Sequence, residues 1–361
     1  MPTIDDLRVT ACTIPTDAPE SDGTLSWDST TIVLVEATSG DTTGLGYTYG
    51  PTACATLIDD KLSDVVKGLD AFETGAAWLA MERAIRNAGR VGIAAMAISA
   101  VDIALHDLAA RLLGVSVAQR LGAFHDSVPV YGSGGFCSYD DEQLAGQLSG
   151  WVEQGIPRVK IKVGRDPEHD RHRLKVARDA IGSDVELYVD ANGAFDRNAA
   201  EGWARVYAED YDVRYFEEPV SSDDLAGLAL LRDRKPAGLA IAAGEYGYDL
   251  DYFTHMVKTV DVQQADVTRC GGITGLLRVG ALCAAQGVPF SAHCAPALSA
   301  HACTAIQPLA HLEYFHDHTR IESMLFEGTL DPRDGALTPD RSRPGLGLEI
   351  KRSEVERYRV A

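Results

Sequence analysis

Lysine is scarce in this chain. Its 361 residues carry 8 Lys against 25 Arg, and 53 acidic residues outnumber 33 basic ones, for a formal net charge of −20. Binding nucleic acid needs clustered cations to neutralise phosphates, so that class of partner is not expected. No apolar run reaches about 18 residues, and the start, MPTIDDLRVTACTIP, lacks a basic stretch followed by an apolar core. Neither a membrane span nor a secretory signal is therefore expected. The seven cysteines (Cys12, Cys54, Cys137, Cys270, Cys283, Cys294, Cys303) are odd in number and have no paired spacing. They read as reduced thiols in a cytoplasm, not as a disulfide framework. The acidic, lysine-poor balance is compatible with a salty cytoplasm and more readily with nothing more than a GC-rich genome; it speaks to solubility and not to fold.

Hydrophobic content of 45% is ordinary for a globular protein, and the length suits one large barrel plus a smaller domain. The first 125 residues read as a self-contained α+β unit. Leu7–Ile14, Thr30–Thr38 and Gly44–Tyr49 are rich in Val, Ile and Thr and predict strands. The polar stretch Thr16–Trp27 predicts a mobile loop, and Tyr49–Ala53 a second one. Ala55–Val66, Ala71–Asn87 and Gly92–Leu113 carry helical periodicity, and the last is nearly apolar all round, as for a helix buried between domains. From residue 126 to 318 the pattern alternates between eight short strands and intervening helices. That alternation predicts a parallel (β/α) barrel over an open sheet. No glycine-rich phosphate loop follows the first of these strands, which weakens a dinucleotide-binding fold. The segment 319–361 holds Gly and Pro turns (RPGLGLEI) and is expected to fold back on the first unit.

Six residues able to hold a metal or move a proton recur at an even pace. Lys162, Asp190, Glu217, Glu245, Asp266 and His293 are separated by 28, 27, 28, 21 and 27 residues. One strand, one helix and two loops take roughly 20–30 residues, so each can end its own strand and all can meet at one barrel mouth. Asp190, Glu217 and Glu245 end the apolar runs LYVD, RYFE and AIAAGE. Three gathered carboxylates repel unless a cation sits among them, and Mg²⁺ takes such oxygen ligands while keeping positions open for substrate. Lys160 and Lys162 flank Ile161 and share one face of a strand. Two ammonium groups beside a bound cation depress each other, which makes a neutral lysine base. Asp266 and His293 follow adjacent strands, within reach of a hydrogen bond that fixes the imidazole tautomer. Glu313, in HLEY, closes the ring and can meet a substrate carboxylate. Asn192 follows Asp190 by two and reads as a pocket residue or a plain turn. Glu218 is expected to face away from the mouth. His301, His311, His316 and His318 receive no role.

At these residues the chain resembles the enolase superfamily, and within it the mandelate racemase subgroup. The matching pieces are VKIKVG (159–164), VDANGAF (189–195), FEEP (216–219), AAGE (242–245), ADVTRCGGITG (265–275), SAHCAPALSAH (291–301) and HLEY (311–314). AISAVDIALHDLAARLLG (97–114) and RPGLGLEI (343–350) extend the likeness over nearly the whole chain. The resemblance implies an α/β modified TIM barrel, (β/α)₇β, with an N-terminal α+β capping domain completed by the C-terminal tail. It implies Mg²⁺ on Asp190, Glu217 and Glu245, a base at Lys162 beside Lys160, and a His293–Asp266 dyad on the opposite face. It implies cap loops, bearing Trp27 and Tyr49, that cover the substrate. It also implies a symmetric homo-oligomer, an octamer or a dimer.

The activity so implied is removal of the proton α to a carboxylate, with Mg²⁺, Lys160 and Glu313 sharing the charge that develops. If His293 then protonates a departing β-hydroxyl, the enzyme is a dehydratase yielding a 2-keto-3-deoxy acid. If it returns a proton to the α-carbon, the enzyme is a racemase or epimerase of a 2-hydroxy acid. The cap stretch TDAPESDGTLSWD offers hydroxyls and carboxylates but no Lys or Arg, which favours dehydration of an aldonate over an aldarate. A metal-binding barrel without turnover, which would have no need of two bases, and a metal-dependent lyase or aldolase on an unrelated barrel are the remaining alternatives.

Overall fold

The computed structural model describes residues 1–361. Strands β1 (Asp6–Ser21), β2 (Ser26–Ser39) and β3 (Thr42–Tyr49) form an antiparallel sheet in that order. The Ile93–Leu113 helix packs on this sheet with almost all of its length buried. By length and composition it is apolar enough to cross a membrane, but the fold encloses 89% of its apolar window. Gly46 lets β3 pass the helix at backbone distance; a Cβ there would stand 2.2 Å from the Ala100 carbonyl oxygen. Two of the helix's polar residues, Ser99 and Asp102, serve the second unit. Ser99 Oγ accepts from the backbone N–H groups of Gly271 and Gly272 at 2.9 and 3.0 Å, and Asp102 accepts from the Thr274 N–H at 2.9 Å and its hydroxyl at 2.7 Å. These bonds satisfy orphan donors at the start of the Gly272–Gln286 helix.

Eight parallel strands then close a barrel: β4 (Val128–Gly134), β5 (Arg158–Lys162), β6 (Glu186–Asp190), β7 (Val213–Glu217), β8 (Ala240–Ala243), β9 (Val262–Asp266), β10 (Phe290–His293) and β11 (Leu309–Phe315). They neighbour one another in sequence order, and β11 pairs with β4 to complete the ring. Tyr131, Tyr188, Tyr215 and His311 fill the interior with stacked, tilted and edge-on ring contacts. The tail bonds to both units. Ala336–Leu337 pairs with β4, Ala11 in β1 exchanges backbone hydrogen bonds with Val360 and Ala361, each at 2.8 Å, and Arg352 pairs with Glu36.

One expectation is overturned in the cap. The stretch predicted as a mobile loop, Thr16–Trp27, is mostly strand. β1 and β2 run on past an irregularity between Pro15 and Glu20, leaving only a turn at residues 22–25. Asp22 Oδ1 closes that turn by accepting from the N–H groups of Thr24 and Leu25 at 2.6 and 2.7 Å, and Arg165 binds the Asp22 and Leu25 carbonyls from the barrel side. The tip sits directly on the barrel: a Cβ on Gly23 would stand 2.5 Å from the Ala191 carbonyl oxygen and 2.6 Å from that of Val163. Polar composition suggested a loop; cross-strand pairing and docking make it a hairpin.

Candidate active site

Strand register assembles the mouth. Lys162, Asp190 and Glu217 are directly paired across β5, β6 and β7, and Asp266 is paired with His293 across β9 and β10. Residues in register on adjacent parallel strands share a face. Lys160 lies one layer deeper, beside Tyr188, with its Nζ 5.2 Å from the Tyr131 ring centroid. Glu245 arrives past the end of β8 by way of Gly244. That residue has φ 137°, and a Cβ on it would stand 2.1 Å from the Gln264 carbonyl oxygen, so only glycine fits. Glu313 enters from β11 and accepts from the Ser133 hydroxyl at 2.5 Å.

Asp190, Glu217 and Glu245 are at most 3% exposed, and each places one oxygen within 4.8 Å of the others. Lys160 Nζ lies 2.7 Å from both Glu217 Oε2 and Glu313 Oε1, and Lys162 Nζ lies 2.5 Å from Asp190 Oδ2. His293 Nδ1 is 2.7 Å from Asp266 Oδ2, while its Nε2 faces Glu245 Oε2 at 3.2 Å and Glu313 Oε2 at 3.4 Å. Asp266 is itself held by the Thr268 N–H and hydroxyl, both at 2.7 Å. The imidazole is thus anchored on one nitrogen and open to the mouth on the other.

Burial and Asp190 push the Glu217 carboxyl well up. Burial also acts to raise Glu245, but His293 and Arg269 hold it well below the usual carboxylate range. Burial acts against the charge of His293, and Cys294, Glu245 and Glu313 outweigh it, so the imidazolium is favoured. The same carboxylates set the lysines, and the depression expected of them supposes a cation bound there. Burial and Lys160 do depress Lys162, but Asp190 outweighs them, and Glu217 and Glu313 do the same for Lys160. Both ammonium groups are held above their ordinary range because a carboxylate faces each at hydrogen-bond distance.

Two oxygens of the carboxylate trio, Glu217 Oε1 and Glu245 Oε2, are buried and accept no well-aligned hydrogen bond, although His293 Nε2 stands 3.2 Å from the second. Three buried carboxylates with unspent lone pairs are the oxygen donor set that a hard divalent cation takes, so these residues fit a metal ion. A cavity of about 390 Å³ opens above them, between cap and barrel. Trp27 and Tyr49 line it from the cap, and Lys162, Asn192, Glu245, His293 and Glu313 from the barrel. Trp27 donates its indole N–H to Glu20 at 2.7 Å and meets Phe136 edge-on, while Tyr49 stacks on His318. Asn192 satisfies both of its readings: φ is 46°, its N–H donates to Asp190 Oδ1 at 2.8 Å, and its unpartnered Oδ1 belongs to a pocket residue. Glu218 departs from strand alternation. Its φ of 39° ends the strand, and it is buried, with burial and then Glu245 and Asp190 pushing its carboxyl well up.

Among the pocket residues not anticipated, three stand close to the charged groups of the mouth or stack on Tyr49. Arg269 donates to the Glu245 carbonyl at 3.1 Å and stands 3.4 Å from Asp266 Oδ2; its place three residues past Asp266 was the available signal. Cys294 places Sγ 3.2 Å from His293 Nε2 and 3.3 Å from Glu313 Oε2. His318 comes from the His316–Leu325 helix, and burial lowers its pKa to about 3. His311 lies inside the barrel against Ser291 and His301 is buried elsewhere, neither of them lining the pocket.

Comparison with known proteins agrees with this geometry. The family described as mandelate racemase / muconate lactonizing enzyme, N-terminal domain, matches residues 7–122, and enolase C-terminal domain-like matches residues 143–354. A 3,6-anhydro-alpha-L-galactonate cycloisomerase from Streptomyces coelicolor is 32% identical over 94% of both chains. A mandelate racemase/muconate lactonizing enzyme-like protein from Rubrobacter xylanophilus is 59% identical, with a TM-score of 0.99 over 99% of this chain and 100% of that one. An L-talarate dehydratase from Polaromonas sp. JS666, complexed with Mg and L-glucarate, is 29% identical, with a TM-score of 0.91 over 100% of this chain and 98% of that one. With both of its domains matched and its barrel mouth carrying the acidic trio, the chain belongs to the mandelate racemase/muconate lactonizing enzyme family of the enolase superfamily.

Proposed function

We propose that this chain is a Mg²⁺-dependent hydro-lyase that dehydrates a sugar acid of the aldonate type to a 2-keto-3-deoxy acid. The observation that carries the reading is the order around the mouth. Three carboxylates occupy consecutive strand ends, with Lys162 on the strand before them and the Asp266–His293 pair on the strands after. Held by Asp190, Glu217 and Glu245, Mg²⁺ supplies Lewis acidity toward the substrate carboxylate. Lys162, whose ammonium is held only by Asp190 and would be released when that carboxylate is given over to the ion, is placed to receive the α-proton, and Lys160 and Glu313 lie where a substrate carboxylate oxygen can be hydrogen-bonded. His293, its Nδ1 anchored by Asp266, gives the Nε2 proton to the β-hydroxyl. The α C–H and β C–O bonds break, water leaves, and the enol tautomerises to the keto acid. The cap lines the pocket with Asp22, Ser29, Thr30 and Thr31 and with no Lys or Arg, which suits a neutral polyol end. Seven free thiols suit the reducing cytoplasm in which we place the enzyme, and we expect it to assemble as a symmetric homo-oligomer.

The cycloisomerase relative supports a second reading with the same proton transfers. There the leaving oxygen is tethered in the substrate's ring, so elimination gives an isomer and no water is lost. A library of aldonates, aldarates, lactones and anhydro-aldonates, incubated in D₂O with Mg²⁺, separates the outcomes. Semicarbazide detects 2-keto product and mass spectrometry reads water loss. Keto product lacking one water supports dehydration, and keto product that keeps the full formula apart from solvent deuterium supports cycloisomerisation. Deuterium at the α-carbon without keto product would overturn both in favour of epimerisation.

A further inference from the structure

Asp17, Glu20 and His316 meet where the cap hairpin crosses the start of the His316–Leu325 helix. One carboxylate oxygen from each acid and one ring nitrogen lie within 4.8 Å of one another. His316 Nε2 is 2.9 Å from Asp17 Oδ2. Glu20 is only 1% exposed, yet its Oε1 has no hydrogen-bond partner, while Oε2 is spent on the Trp27 indole. A buried carboxylate oxygen without a donor is costly, so the cluster lacks a positive partner. The neighbouring cation, Arg320, spends one nitrogen on Asp317 Oδ1 at 2.5 Å and on the Pro15 carbonyl at 2.8 Å, and its buried Nε makes no hydrogen bond, to Glu20 or to any other group.

We propose that Asp17, Glu20 and His316 form a second divalent-cation site, selective for a borderline ion such as Zn²⁺, that fastens the cap hairpin to the barrel. Ligand atoms at about 2.0–2.2 Å from a tetrahedral zinc stand roughly 3.4 Å apart, so small side-chain rotations suffice to admit the ion between His316 and Asp17. Imidazole with two carboxylates suits zinc, whereas Mg²⁺ prefers oxygen ligands alone. The site shares no residue with the acidic trio of the barrel mouth. It reaches the substrate pocket through one bond, from Glu20 to Trp27.

The test titrates the full chain, kept in millimolar Mg²⁺, with Zn²⁺ by calorimetry, with zinc counted after desalting. We expect one zinc per wild-type chain, bound at least tenfold more weakly by His316→Asn and by Glu20→Gln, and unchanged in Asp190→Asn. Zinc should raise the melting temperature of wild type and not that of His316→Asn, whose zinc-free melting and Mg²⁺-supported turnover should match wild type. Absence of zinc binding above the Mg²⁺ background, retention of zinc by both His316→Asn and Glu20→Gln, or its loss in Asp190→Asn would each overturn the site.

Discussion

Lys162 and His293 are each held by one short bond to a carboxylate, Asp190 at 2.5 Å and Asp266 at 2.7 Å. The two bonds differ in consequence. Asp190 retains Lys160 at 3.5 Å when Lys162 is removed, so Lys162→Ala should leave the fold standing. Turnover should fall by about 10²–10⁴-fold or more, as expected for loss of a general base. Unchanged turnover would dismiss Lys162 from that role. His293→Asn keeps Lys162, so one epimer of an acid sugar should still exchange its α-proton with D₂O while keto product disappears. NMR of the recovered acid reads the first and semicarbazide the second; persistence of keto product would remove His293 as the acid. At this scale the residues ending apolar strands were legible, because a strand's period fixes which side chains face inward. Arg269, Cys294 and His318 were not, since they reach the pocket from turns and a helix to which strand alternation does not apply.

The element whose structure departs most from its composition is the cap hairpin. Its composition is that of a loop, and its tip residue Gly23 explains why it is ordered: no side chain fits between it and the Ala191 carbonyl. Gly23→Val should lift the hairpin, raising the KM for the acid sugar several-fold while leaving the melting temperature near that of wild type; an unaltered KM would show that the hairpin does not help to hold substrate. The His316–Leu325 helix carries a second diagnostic group. Glu322 accepts from the Tyr47 hydroxyl at 2.6 Å and the Ala297 N–H at 3.0 Å, and burial pushes its carboxyl up to about 8. The folded state therefore keeps a proton that the unfolded chain releases near 4.5. The stability so contributed is complete below that value and is lost as pH rises through about 8. Glu322→Gln should flatten the decline in melting temperature across this window by a few degrees, and scans at several pH values check it. The helices and barrel strands were themselves legible within a few residues, because period 3.6 and short β-branched runs are local signals. The hairpin was not, because its strand character depends on a partner strand and on the barrel beneath.

Across the whole molecule, the spacing of chemistry-bearing residues announced the barrel, since a repeat of strand, helix and two loops has a nearly constant length. The junction between units left no such periodic trace. An ion bound at the mouth neutralises buried like charges in the folded chain only, so chelation should act on activity and stability together. EDTA should abolish turnover and lower the melting temperature, and Mg²⁺ should restore both; at a hundredfold excess over its dissociation constant a ligand adds about 2.7 kcal/mol of stability. Full activity in chelator would end the metal reading. The junction carries a lesson for engineering. Ser99 and Asp102 terminate a helix that belongs to the other unit, and a Cβ on Gly272 would stand 2.4 Å from Asp102 Oδ2. A chimaera that grafts a foreign lid onto this catalytic half must therefore transplant the 93–113 rod and the 271–274 bend as one cassette, or leave two acceptors sealed inside with nothing to receive.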